Sequence, residues 1–163
     1  MMIGCPPGLV GHLPVSEGDM SDATMTKMPR PPRVPPLLTG LNDFFWKAGG
    51  RGELRFLRCR SCRTWMHPPA PICRTCMSRD LVDEPVSGKA EVLAYTVNHQ
   101  QWSADADPAP YVIAIVEIAE QKGLRLTTNI VNCDVGDVHI GMPVRVLFEP
   151  LADVWLPLFE PEP

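Results

Sequence analysis

From residue 90 onward the apolar positions fall into short runs of strand length: Ala90–Asn98, Tyr111–Ala119, Leu124–Val131, Pro143–Phe148 and Trp155–Phe159. Turn formers separate the runs, and each is too short to lay down a helical stripe. Gln121-Lys122-Gly123 reads as a tight hairpin turn and Asp105–Pro110 as a longer exposed loop. Five strands in about 75 residues is the size of a small Greek-key barrel of the OB type. Upstream, Glu53–Val82 reads as strand, turn, strand, loop, turn, strand around four cysteines. Thr39–Ala48 has a helical period, with Leu41, Phe44, Phe45 and Ala48 on one face, Thr39 as N-cap and Gly49-Gly50 as the stop. Its aromatic side, Phe44, Phe45 and Trp46, is large for a short helix, so it either covers the following domain or docks on another protein. Residues 1–37 show no period. PPGLVGHLP, the polar SEGDMSDATMTK and the cluster PRPPRVPPLL bury too little apolar area to offset their conformational entropy.

The pattern therefore predicts a mainly β chain: a mobile Pro-rich arm over 1–37, an amphipathic helix over 38–50, a ribbon built around the four cysteines over 51–84 and an OB-fold barrel over 85–163. Met20, Met25 and Met28 lie inside the arm and offer alternative starts of translation. There is no internal repeat.

Composition, at 45% hydrophobic and 21% charged, is that of an ordinary soluble globular protein. No run approaches the roughly 18 apolar residues of a membrane helix. The first residues, MMIGCPPGLVGHLP, lack the basic start of a secretory signal, and a cytoplasmic location is expected. Of six cysteines, four form two tight pairs, Cys59-Arg60-Ser61-Cys62 and Cys73-Arg74-Thr75-Cys76, with ten residues between them. Two intervening residues let both sulfurs of a knuckle face one ion, which makes this spacing a zinc-ribbon signature. Four thiolates close a tetrahedral shell and leave no position for water, so the expected zinc is structural. A thiol-redox pair and an iron–sulfur cluster are the competing readings of the same residues. Cys5 and Cys133 read as free thiols.

Charge is distributed unevenly. Residues 44–80 hold eight basic residues, Arg55, Arg58, Arg60, Arg63 and Arg74 among them, against Glu53 and Asp80, a net of +6, while the whole chain is −4. Part of this excess balances a doubly negative zinc–tetrathiolate centre. The remainder favours an arginine-bearing face that meets a phosphate-bearing cofactor or an acidic partner. Convergent catalytic groups are missing: there is no phosphate loop and no nucleophile elbow, and His67, His99 and His139 stand apart in sequence.

The order of helix, two-knuckle ribbon and barrel resembles the rubredoxin-like zinc-ribbon plus OB-fold family, long catalogued as a domain of unknown function and associated with acyl-CoA metabolism. Beyond the cysteines, the resemblance rests on Phe45-Trp46, Pro68-Pro69, Ser87-Gly88-Lys89, Tyr95-Thr96-Val97, Pro110-Tyr111, Val116-Glu117, Ile140-Gly141-Met142-Pro143-Val144, Phe148-Glu149 and Leu156-Pro157-Leu158-Phe159, across residues 41–160. Ala90 stands where the family often has a second glycine, and Arg63 and Met77 stand where many knuckles have glycine.

The resemblance implies a non-catalytic accessory subunit, assembled as a hetero-oligomer with a thiolase-fold enzyme that carries the chemistry on CoA thioesters. The partner reactions include acyl transfer, Claisen-type condensation and retro-aldol cleavage of steroid side chains. On this reading Cys59, Cys62, Cys73 and Cys76 hold one zinc. Phe44, Phe45, Trp46, Arg55, Arg58, Arg60, Arg63 and Arg74 face the partner or an acyl-CoA ligand. The rival readings are a single-stranded nucleic-acid-binding protein, which the acidic barrel and a pI of about 5.5 disfavour, and a stand-alone acyl-CoA-binding protein.

Overall fold

A computed structural model describes residues 33–101 and 109–162. Most of the arm expected over 1–37 lies outside the described residues, as do Cys5, Met20, Met25, Met28 and most of the loop expected at Asp105–Pro110.

The barrel uses the alternation that the strand-length runs carry. In β5 (Tyr111–Ile118), Val112, Ala114, Val116 and Ile118 are buried while Ile115 between them is exposed, so one face of the strand points into the core. β5 lies between β4 (Lys89–Asn98) and β6 (Arg125–Thr128), and β7 (Pro143–Leu151) with β8 (Val154–Pro161) completes the antiparallel order β6-β5-β4-β7-β8. The sheet closes on itself. The chain after β6 runs parallel to β8, with the Val131 N–H donating to the Phe159 carbonyl at 2.8 Å and the Phe159 N–H to the Asn129 carbonyl at 3.0 Å. This nearly closed five-strand barrel with a parallel closing seam is of the OB type. Gln121-Lys122-Gly123 makes the β5–β6 turn, with Gly123 at φ 82°. Gly88, at φ 77°, enters the barrel where any Cβ would sit 2.5 Å from Val146 Cγ1.

Three strands precede the barrel. β1 (Leu54–Cys59) lies between β2 (Trp65–Met66) and β3 (Leu81–Val86) in an antiparallel sheet that carries the cysteines at one end. Gln121 bolts this sheet to the barrel: its Oε1 accepts from the Trp65 N–H at 2.9 Å and its Nε2 donates to the Trp65 carbonyl at 3.2 Å.

Helix α1 covers Asp43–Ala48 and is shorter than the expected Thr39–Ala48. Asn42 is the reason. Its Oδ1 accepts from the Thr39 N–H at 2.7 Å and its Nδ2 donates to the Leu37 carbonyl at 3.1 Å, tying residues 37–42 into a turn. Thr39 makes no cap, and Leu41 is left exposed. The helix passes into a 3-10 turn (Gly49–Arg51) that ends on Gly52 at φ 72°. Gly49 itself is right-handed, and its small size admits Trp155 and Phe148 of the β7–β8 hairpin.

Residues 33–38 carry no regular structure but are held in place. Arg33 Nη1 donates to Asn129 Oδ1, and Arg33 Nε lies 3.7 Å from Glu149 Oε1. Asn129 is itself buried and donates to the Val112 carbonyl at 2.7 Å, so the arm is anchored at the barrel mouth from Arg33 onward.

Candidate metal centre and apolar groove

The two knuckles have the same local build. Arg63 N–H donates to the Cys59 carbonyl at 2.8 Å and Met77 N–H to the Cys73 carbonyl at 2.9 Å; Cys59 N–H reaches the Thr64 carbonyl and Cys73 N–H the Ser78 carbonyl, each at 2.9 Å. Such a loop returns on itself only if the residue after the second cysteine is left-handed. Arg63 (φ 65°) and Met77 (φ 61°) both adopt that conformation in place of the usual glycine. Ser61 Oγ and Ser78 Oγ, 3.0 Å apart, join the loops.

The folded knuckles converge the sulfurs of Cys59, Cys62, Cys73 and Cys76 to within 4.8 Å of one another, and none forms a disulfide. Cys59 and Cys76 Sγ are 3.6 Å apart, Cys62 and Cys73 Sγ 3.5 Å. A tetrahedral ion bonded to sulfur at about 2.3 Å sets its ligands about 3.8 Å apart, so the donor set fits a closed four-sulfur metal site.

The local electrostatics favour the ligating form in three of the four. The backbone amide of Cys62 holds the Cys59 thiol below its usual range, the Thr64 hydroxyl does so for Cys62, and the backbone amides of Cys76 and Thr75 do so for Cys73. Cys76 feels the Ser78 amide in the same sense, but Cys62, burial, Cys59 and Cys73 together push it up to about 12. Four thiols this close resist ionising together without a cation between them.

The arginines settle differently from the excess of charge in residues 44–80. β3 supplies acids just beyond that stretch. Arg55 donates to Asp83 Oδ2 at 2.7 Å and Glu53 Oε2 at 2.9 Å, and Arg58 donates to Glu84 Oε2 at 2.8 Å while stacking 4.8 Å over the Trp65 ring. Arg63 reaches Glu84 at 3.8 Å and Arg60 reaches Asp80 at 3.7 Å. Arg55 and Arg58 are thus half-buried internal pairs. Arg60, Arg63 and Arg74 keep exposed side chains, and Arg74 donates to the His67 carbonyl at 3.1 Å.

The aromatic helix splits in the same way. Phe45 is 3% exposed and packs on Phe56, Trp46 and His67 as part of the core. Phe44 and Trp46 are half-buried. His67 lies with its ring 5.0 Å from both Phe45 and Phe56; burial, with the charge of Arg74, lowers its pKa to about 4. In sequence His67 stands apart from any chemical partner, and only the fold brings the two rings to it.

These residues border a groove of about 570 Å³ between helix, ribbon and barrel, whose apolar lining includes Leu41, Trp46, Pro68 and Ile115 and whose rim includes Asn42 and Arg125. No helix among the described residues is long and apolar enough to cross a membrane.

Comparison with known proteins agrees with this architecture. Residues 46–82 match the family described as "ChsH2, rubredoxin-like zinc ribbon domain", and residues 83–149 match "ChsH2, C-terminal OB-fold domain". A DUF35 domain-containing scaffold protein of Methanocaldococcus jannaschii is 39% identical over 98 residues, 60% of this chain and 68% of that one. The 3-oxo-4,17-pregnadiene-20-carboxyl-CoA hydratase alpha subunit of Mycobacterium tuberculosis is 32% identical over 119 residues, 73% of this chain but only 37% of the subunit. Among solved structures, one chain of a complex described as "Ltp2-ChsH2(DUF35) aldolase" superposes with a TM-score of 0.70 at 35% identity, covering 78% of this chain and 98% of that one. With four converging cysteines at the head of a three-stranded ribbon and an OB-type barrel behind it, this chain belongs to the DUF35 family of rubredoxin-like zinc-ribbon plus OB-fold proteins.

Proposed function

We propose that this chain is a non-catalytic accessory subunit that docks on a thiolase-fold enzyme acting on CoA thioesters, with one structural zinc ion holding its ribbon folded. The observation that carries the reading is the match to nearly the whole of one chain in an aldolase complex, at 35% identity. The description of the archaeal relative as a scaffold protein supports the same role. Chemically, a four-sulfur shell leaves a bound zinc no open position, so the ion stabilises the fold and activates no water. Arg60, Arg63 and Arg74, exposed on the ribbon, are the arginines placed to meet an acidic partner surface or CoA phosphates. Arg55 and Arg58, occupied by Asp83 and Glu84, contribute to the ribbon instead.

The test is co-expression with the thiolase-fold subunit of the same organism. The expected result is a stable complex in which the enzyme gains solubility or turnover on acyl-CoA relative to the enzyme alone. A chain that neither co-purifies with such a subunit nor changes its behaviour would remove the reading.

A further inference from the structure

The two knuckles share a backbone plan but differ in exposure. Cys62, the second cysteine of the first knuckle, is half-buried, and its Sγ lies 3.2 Å from the Thr64 hydroxyl. Its counterpart in the second knuckle, Cys76, is exposed, within an unbroken exposed run from Arg74 to Met77. Ser78 stands two residues beyond Cys76 as Thr64 stands beyond Cys62, but its hydroxyl is engaged elsewhere: it lies 3.0 Å from Ser61 Oγ and accepts from the Asp80 N–H at 3.1 Å. Cys59 and Cys73 are 0% exposed. Of the four converging sulfurs, that of Cys76 is therefore the one on the exposed residue, without the hydroxyl contact that its counterpart has. The sulfurs also sort across the knuckles. Cys76 Sγ lies 3.6 Å from Cys59 Sγ, whereas Cys73 Sγ lies 3.5 Å from Cys62 Sγ and accepts from the Thr75 N–H at 3.4 Å.

We infer that Cys76 is the site at which hydrogen peroxide modifies this chain, forming a sulfenic acid that Cys59 resolves as a cross-knuckle disulfide with loss of the zinc ion. The inference rests on the structural-zinc reading above. A four-thiolate shell carries about two negative charges, so its sulfurs stay electron-rich, and oxidation among them follows exposure. In the first step the Cys76 sulfur attacks one peroxide oxygen: the S–O bond forms, the O–O bond breaks, and the other oxygen leaves as hydroxide with the electron pair. In the second the Cys59 thiolate attacks the Cys76 sulfur: the S–S bond forms, the S–O bond breaks, and a second hydroxide leaves. Two thiolates are thereby oxidised by two electrons and one peroxide is reduced. Cys62 and Cys73 are left as the remaining ligands, too few to keep the shell closed. The second knuckle then loses the ion that ties it to the first, and reduction of the disulfide restores the ligand set.

The experiment uses the full chain purified with its zinc and carrying Cys5→Ser and Cys133→Ser, so that only the knuckle cysteines report. Hydrogen peroxide is added in stoichiometric amount and then in excess. Zinc release is followed with a chromogenic chelator, sulfenic acid is trapped with dimedone, and disulfides are mapped by mass spectrometry. The expected result is dimedone on Cys76 before any other cysteine, a Cys59–Cys76 disulfide forming in step with zinc release, and recovery of zinc binding after dithiothreitol. Cys76→His, which keeps a nitrogen ligand and removes the reactive sulfur, should slow release roughly tenfold or more, and Cys62→His should leave the rate within about twofold of the parent. Mapping on the parent chain decides the inference even where a histidine variant fails to hold zinc. First labelling at another cysteine, a Cys73–Cys76 disulfide in place of Cys59–Cys76, equal slowing by both histidine variants, or zinc retained under excess peroxide overturns the inference and leaves the structural-zinc reading standing. A chain that binds no zinc overturns both.

Discussion

At the scale of single residues, each cysteine knuckle turns on a left-handed residue that is not glycine. Arg63 and Met77 occupy left-handed positions that sequence alone marks only as missing glycines. Met77 is 70% exposed, so its side chain gives little packing in return for the backbone cost. Met77→Gly should therefore stabilise the zinc-loaded protein by about 0.5–1 kcal/mol, measured as a higher denaturant midpoint, where the same substitution at an ordinary surface site destabilises. His67 behaves oppositely to its position in sequence. It follows a strand beside two prolines and reads as a loop histidine, yet Phe45 and Phe56 bury it, and only the fold brings those rings to it. Its folded pKa of about 4 lies below the unfolded value near 6.5, so the unfolded chain takes up a proton first as pH falls. Its contribution to stability is present above pH 6.5 and is lost as pH falls toward 4. Between pH 7 and 5 the loss should be about 2 kcal/mol, read as the difference in midpoint shift between the wild type and His67→Gln.

At the scale of elements, strands announced themselves by alternation and length, and their ends did not. The run Leu124–Val131 pairs with β5 only over Arg125–Thr128, because the next residues leave that ladder to meet β8. Pairing across the barrel seam joins residues about thirty positions apart, which no local pattern encodes. α1 ends at Ala48 as its period predicts but starts late, because Asn42 closes a turn before it; Gly49, read as a stop, is right-handed and serves close packing. A Cβ on Gly49 would stand 2.4 Å from Trp155 Cβ and 2.6 Å from Phe148 Cδ1. Gly49→Ala, which favours an isolated helix, should thus destabilise this protein by about 1–3 kcal/mol in thermal or denaturant unfolding. A neutral or stabilising result would mean that the helix can pivot off the β7–β8 hairpin.

At the scale of the whole molecule, the excess of positive charge in the ribbon sequence dissolves into internal pairing. The acids that neutralise it, Asp83 and Glu84, sit on β3 just beyond the basic stretch, and antiparallel pairing places them beside Arg55 and Arg58 on β1. Arg60, Arg63 and Arg74 keep exposed side chains on the ribbon. The ribbon's own core is small, with Leu57, Cys59, Met66 and Cys73 at its centre, so a metal bound by the four cysteines would supply much of its cohesion. The central claim joins metal, fold and assembly, and one measurement addresses all three: the zinc content and molar mass of the chain co-purified with its thiolase-fold subunit, for wild type and Cys59→Ala. The account predicts one zinc per wild-type chain in a defined hetero-oligomer, and a variant that lacks zinc and elutes apart from the enzyme. A Cys59→Ala chain that has lost its zinc yet assembles fully would contradict it.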